Sequence, residues 1–191
     1  YWGKDAIAFV TARELFNGIS DDQFAPAAPM TRAMLVTVLH RLEDTPAAKV
    51  DAAFPDVDAA AWYADAVAWA SENGIVTGYG DGSFGPADNI TREQMAVMLY
   101  RYAAFKGYDV TAASDLKDFN DTGSISSWAL ESLRWANAEQ LINGRTAAEL
   151  VPGGNATPTS WVWIPPPPVR SPSSPTETRF PPGPRRPCSG R

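Results

Sequence analysis

The chain is expected to be an all-α repeat protein, and three observations carry that expectation. The segment from Trp2 to Arg41 recurs without a gap sixty positions later as Trp62 to Arg101. Trp2 pairs with Trp62, Gly18 with Gly78, Phe24 with Phe84, Pro26 with Pro86, and Thr31-Arg32 with Thr91-Arg92. A third copy follows at an offset of sixty-six, with Trp128, Trp135, Gly144, Pro152, Asn155 and Thr157 in place of Trp62, Trp69, Gly78, Pro86, Asn89 and Thr91. Apolar residues in the copies fall at helical spacing, and a capping signature precedes the second stripe. A repeat of this length is one supersecondary unit that cannot bury its apolar face alone, so neighbouring units must complete the core.

The second copy is the most complete and shows each element in order. Phe54-Pro55-Asp56-Val57 reads as a turn, since Pro55 fixes φ and Asp56 can accept backbone hydrogen bonds. A helix is expected from Trp62 to Asn73, with Trp62, Ala66, Trp69 and Ala70 on one face and Gly74 ending it in the left-handed conformation. The glycine-rich run from Ile75 to Pro86 should be a loop pinned by Phe84. A second helix then starts at Thr91, which with Gln94 forms a capping box, while Ile90 and Met95 form the hydrophobic staple. Its stripe is Met95, Met98, Leu99 and Tyr102, matched in the first copy by Leu35, Val38, Leu39 and Leu42. Each unit is therefore helix, ordered loop, helix, with stripes facing other units.

Composition divides the 191 residues unevenly. Hydrophobic content of 45%, with eight Phe, seven Trp and six Tyr, is ample for a core. From Pro158 onward, however, 34 residues hold eleven of the seventeen prolines, five arginines and the only cysteine, Cys188. Residues 1–157 hold 11 basic and 21 acidic side chains, a net charge near −10. Such an acidic body argues against nucleic acid as a partner, because Lys and Arg must neutralise phosphate there. A single cysteine excludes an internal disulfide framework and a cysteine-built zinc site. No run of eighteen apolar residues marks a membrane span. The chain begins at Tyr1 without Met or a leader, and its first copy lacks the Phe-Pro-Asp opening, so a fragment of a longer protein is expected.

In order and at fixed spacing, Phe-Pro-Asp-Val, Trp-Tyr, Ala-Val-x-Trp-Ala, Gly-Ile-Val-Thr-Gly, Asp-Gly-Ser-Phe-x-Pro and Ile-Thr-Arg-Glu give the chain its resemblance to the S-layer homology domain family, over about 157 residues. The resemblance implies a pseudo-threefold bundle of helix–loop–helix repeats with grooves between neighbouring lobes. The units would be 1–44 (start truncated), 51–107 and 116–157 (incomplete), followed by a disordered Pro/Arg-rich tail at 158–191. It also implies a function: non-covalent anchoring of a secreted protein to the secondary polysaccharide, often pyruvylated, that is attached to peptidoglycan in a bacterial cell wall or S-layer. A purely structural self-assembly module of a surface layer, or the anchor segment of a larger surface enzyme, are the alternatives.

The family's threonine–arginine motif falls on Thr31-Arg32 and Thr91-Arg92. The usual acid is missing from Thr31-Arg32-Ala33-Met34 and shifted in Thr91-Arg92-Glu93-Gln94. A cation in the first helical turn opposes the macrodipole, so these arginines are read as exposed ligand groups. A guanidinium fork beside free helix-end N–H groups suits a carboxylate. The other reading is a bridge from each arginine to an acid of the next repeat, such as Asp81 or Asp56. Trp69 and Trp135 are assigned to the core, whereas Trp62 and Trp128 stay open between core packing and sugar stacking. Asp81-Gly82 is a turn, with Asp81 placed to meet sugar hydroxyls; the acid pattern of a calcium loop is absent.

The two sequons, Asn89-Ile90-Thr91 and Asn155-Ala156-Thr157, coincide with helix caps, which explains their threonines. His40 stands alone, and no nucleophile or paired carboxylate forms a catalytic constellation with it. Neither a catalytic role, a cofactor nor a metal is expected. At Pro158, where arginine should follow Thr157, the repeat stops between two motif residues. A reading-frame change accounts for this better than a natural wall-spanning tail. On that view the missing third helix should leave Leu35, Leu39, Met95 and Leu99 uncovered.

Overall fold

The computed structural model of the chain describes residues 27–49 and 54–158. The helix expected at the start of the first copy, and the tail with its frame-change interpretation, fall outside those residues. Within them the fold is all-α: α1 (Arg32–Leu42), α2 (Ala64–Glu72), α3 (Arg92–Phe105) and α4 (Leu130–Ala138), with one 3₁₀ turn at Thr122–Ser124. Extended pairing among the described residues is limited to two isolated bridges, Thr31 with Asn89 and Thr91 with Asn155.

Local signals account for the helix ends. Thr91 Oγ1 accepts from the Gln94 amide at 3.2 Å, and Gln94 Oε1 accepts from the Thr91 amide at 3.2 Å, completing the capping box. In the first copy the departure Met34 is accommodated: its sulfur accepts from the Thr31 amide at 3.4 Å, a weaker partner in the same place. Gly74 ends its helix at φ 68°. The expected start at Trp62 is corrected by two residues. The chain turns through Asp58 to Ala64, where Asp58 Oδ1 accepts from the Ala60 amide and Asp58 O from the Ala61 amide, both at 2.9 Å. Trp62 therefore lies before α2 and off its buried face.

Packing interlocks the copies. α1 packs on α2 and α3 on α4, so the second helix of one copy meets the first helix of the next. The stripes feed one core that includes Leu35, Leu39, Trp69, Met95, Leu99 and Trp135. Leu35, Leu39 and Met95 are 0% exposed and Leu99 2%, so the expectation that these residues would be uncovered is wrong. Their stripes face α2 and α4 in that continuous cluster. At the end of α1, Glu43 ties the copies again, accepting from Tyr102 Oη and from Lys106 Nζ on the α3 side.

Three backbone hydrogen bonds close the arrangement. Ile90 N donates to Met30 O at 2.9 Å, Ala156 N to Ile90 O at 2.8 Å, and Met30 N to Ala156 O at 2.9 Å. Each residue directly precedes the Thr of its own copy, so the pseudo-threefold axis passes through this ring. The third copy takes its place in the ring although its motif breaks at Pro158.

The loops that carry these residues are held by one recurring device. Asp56 accepts from the Phe84 and Gly85 amides at 2.8 and 2.7 Å, and Asp121 accepts from the Leu150 and Val151 amides at 2.8 and 2.7 Å. Gly78 and Gly144 occupy matching tight points, where a Cβ would collide with the rings of Phe54 and Phe119. One position differs in strain. Gly85 has φ 68°, but its counterpart Val151 has φ 54°. A β-branched residue in the left-handed region costs about 1–2 kcal/mol. Allowing for the added chain entropy of glycine, Val151→Gly should stabilise the protein by up to about 1 kcal/mol. A thermal melt checks this, and a lowered midpoint would mean that the valine methyl packed near Gly154 outweighs the strain.

Candidate functional site

The motif arginines are buried, not exposed. Arg32 is 4% and Arg92 2% accessible. Arg32 Nε donates to Phe84 O at 2.7 Å, and the guanidinium lies over the Tyr79 and Phe84 rings at 4.5 and 4.8 Å. Arg92 Nε donates to Leu150 O at 2.9 Å and its Nη2 to Asn143 O. Each arginine thus reaches into the loop of the following copy, as one sequence reading held, but it meets carbonyls there. Neither arginine forms an ion pair with a carboxylate among the described residues. Burial lowers both guanidinium pKa values; burial and then the Arg145 charge bring Arg92 down to about 10, so it stays protonated at neutral pH.

The helix ends are also occupied. Arg32 N donates to Asp88 O and Ala33 N to Pro86 O, while Arg92 N donates to Gly154 O and Glu93 N to Pro152 O. The next amide in each helix donates to the cap oxygen, Thr31 Oγ1 or Thr91 Oγ1. The expected free N–H groups for a carboxylate are therefore used by the neighbouring copy, and the two threonines act as caps. This explains why a cation is tolerated in the first turn: tertiary carbonyls compensate it.

A groove of about 410 Å³ opens beside Arg32. One wall is the loop from Ile75 to Gly80; the floor is the α3 face formed by Gln94, Val97, Met98 and Arg101; Trp128 stands at the rim. Gln94, Val97, Met98 and Arg101 follow i, i+3, i+4, i+7 spacing, so one helical face supplies an amide, two apolar side chains and a cation. Arg101 Nη1 donates to Thr77 Oγ1 at 3.2 Å across the groove. Residues of all three copies meet here: Arg32 from the first, the loop and α3 from the second, Trp128 from the third.

Of the residues singled out in the sequence, Arg32 and Trp128 line this groove. Trp128 is 57% exposed and Trp62 64%, so neither belongs to the core. Trp69 and Trp135 are buried as expected, at 4% and 5%. Trp62 lies elsewhere and is not part of this lining. Asp81 and Gly82 are not in the lining. Asp81 Oδ1 accepts from the Ser83 amide at 2.9 Å and hydroxyl at 2.7 Å, a turn lock that also holds its pKa down. Arg92 belongs to the equivalent place in the third copy, where Arg145 stands in the position of Tyr79 and donates to Asn155 O at 2.6 Å. Sequence reading missed Thr77, Gln94 and Arg101 as groove residues, although Arg101 repeats Arg41 and could have been noticed on that ground.

The fold is a pseudo-threefold helical module assembled from repeats, with a groove where the three copies meet. The family model described as the S-layer homology domain matches residues 1–33, 53–96 and 118–157. The chain belongs to the S-layer homology family. It is similar to an endoglucanase of Bacillus sp. (strain KSM-635), 32% identical over 156 residues that cover 82% of this chain and 16% of that protein. It is also similar to the surface-layer 125 kDa protein of Lysinibacillus sphaericus, 30% identical over 146 residues covering 76% of this chain and 12% of that protein. The S-layer protein sap of Bacillus anthracis is 27% identical over 144 residues, 74% of this chain and 16% of its own. The chain spans less than a fifth of the length of each of these relatives. No helix among the described residues is long and apolar enough to cross a membrane.

Proposed function

We propose that this chain is a cell-surface anchoring module that binds an acidic secondary wall polysaccharide in the groove beside Arg32. The observation that carries the reading is the convergence of Arg32, Arg101 and Trp128 on one cleft from three copies of the repeat. An exposed indole offers a face for a sugar ring, and the arginines offer charge to a carboxylate such as a pyruvate ketal. Thr77, Gln94 and the Gly78–Gly80 backbone supply hydrogen bonds to hydroxyls. The cargo of such an anchor lies in the remainder of the protein. The endoglucanase and surface-layer relatives, each several times longer than this chain, favour either an enzyme or a lattice protein as that cargo.

Arg101 is the clean probe, because its recorded bond is to a single exposed hydroxyl. Arg101→Ala should weaken binding of purified pyruvylated wall polysaccharide by about 1.5–3 kcal/mol, the range for a hydrogen bond to a charged group. Calorimetry with native polymer, and with polymer whose ketals have been removed by mild acid, makes the measurement. Equal affinity of wild type and variant, or indifference to the ketal, would sink the proposal. The body is acidic, so the attraction is local and the affinity should depend only modestly on salt.

A further inference from the structure

We infer that Glu93 is a positioning residue for the groove, setting Trp128 at its rim through Ser126. This rests on the groove reading above and adds a determinant that the family motif does not contain. Glu93 sits in the first turn of α3 and is 9% exposed. Its carboxylate takes two hydrogen bonds from one residue of the third copy: Ser126 N to Oε2 at 3.0 Å and Ser126 Oγ to Oε1 at 3.1 Å. Both are charge-assisted, and together they fix the segment in rotation as well as distance. Ser126 O in turn accepts from the Ala129 amide at 2.9 Å, closing a turn with Trp128 between the two tied residues. The indole is thereby carried by α3, the same helix that forms the groove floor through Gln94, Val97, Met98 and Arg101. Floor and rim are held in one frame.

The chain contains its own comparison. At the first-to-second junction Glu93 corresponds to Ala33 and Ser126 to Ala60, so both partners are missing together. There the Ala60 amide donates to Asp58 Oδ1 within its own turn, and among the described residues no equivalent hydrogen bond ties that turn to α1. The shifted acid of Thr91-Arg92-Glu93-Gln94 is thus not a misplaced capping residue; Gln94 does the capping, and Glu93 is free to hold the next copy.

The test is a double-mutant cycle with a ligand-independent second readout. The variants are Glu93→Ala, Trp128→Ala and the pair, titrated with a methyl hexoside carrying a 4,6-pyruvate ketal. Glu93→Ala should weaken binding about fivefold in the native background and not measurably in the Trp128→Ala background, the coupling expected of residues acting through one another. In protein labelled with 5-fluorotryptophan, the fluorine resonance of Trp128, assigned by its loss in Trp128→Phe, should broaden or shift in Glu93→Ala while that of Trp135 holds. If Glu93→Ala fails to fold, Ser126→Ala removes the side-chain bond alone and should move the same two readouts in the same direction. Equal weakening in both backgrounds, or an unmoved Trp128 resonance, overturns the inference. Failure of the groove reading looks different: Arg101→Ala then leaves affinity unchanged, and the fluorine measurement decides on Glu93 by itself.

Discussion

Arg92→Ala is expected to cost the fold about 3 kcal/mol, lowering the thermal midpoint by roughly 10 °C for a domain of this size. The side chain is 2% exposed and bonds Leu150 O and Asn143 O in the next copy. Truncation removes two charge-assisted bonds and leaves the carbonyl of the buried Leu150 without that donor, which costs more than the bond itself contributes. Arg32→Ala should behave alike through Phe84 O and the loss of its stacking on Tyr79. Lysine should rescue little, since a single ammonium cannot reproduce the fork that spans two carbonyls. Circular-dichroism melts of the three variants make the measurement; a midpoint within about 2 °C of wild type for Arg92→Ala would show that water replaces the guanidinium. A binding loss in either alanine variant therefore mixes folding with recognition, whereas Arg101→Ala does not.

Phe84→Ala should be as damaging, about 3–5 kcal/mol. The ring is 0% exposed and packs at 5.5 Å from Phe54, its amide donates to Asp56, and its carbonyl accepts from Arg32. One residue thus joins the core, the turn that opens its own copy and the arginine of the previous copy. The third copy runs the same scaffold on leucine: Leu150 is 0% exposed, donates to Asp121 and accepts from Arg92. Phe84→Leu should consequently lose only about 1 kcal/mol, the cost of a hydrophobic swap that roughly keeps volume. Urea unfolding of the two variants separates these outcomes. Similar large losses for both would mean that the aromatic face under Arg32, and not the filled volume, holds the loop.

Much of the fold could be read from the chain because its signals are local. The Thr91–Gln94 box, the left-handed Gly74 and the helical stripes each depend on residues within a few positions, and each is present. The misjudged features depend on contacts across copies. An arginine in a first turn looks exposed until the carbonyls of the next loop, 52 or 58 positions away, are placed against it. Trp62 and Ala66 share helical spacing, yet Asp58 captures the amides of Ala60 and Ala61 just before Trp62 and delays the helix to Ala64. The groove was legible only in part, because Arg101 acquires its meaning from Thr77 and Trp128, which the spacing of α3 alone does not bring near.

The ring of Met30, Ile90 and Ala156 changes how the protein can come apart. A linear stack of repeats has two free ends, and it can peel from either one, unit after unit, each step breaking a single seam. Here the last copy bonds back to the first, so no copy is terminal. Detaching any one of them opens two seams together, and partial peeling has no inexpensive first step. Under a steady pull, resistance comes from the whole circle at once, and the yield point is set by the weaker pair of seams instead of the weakest single one.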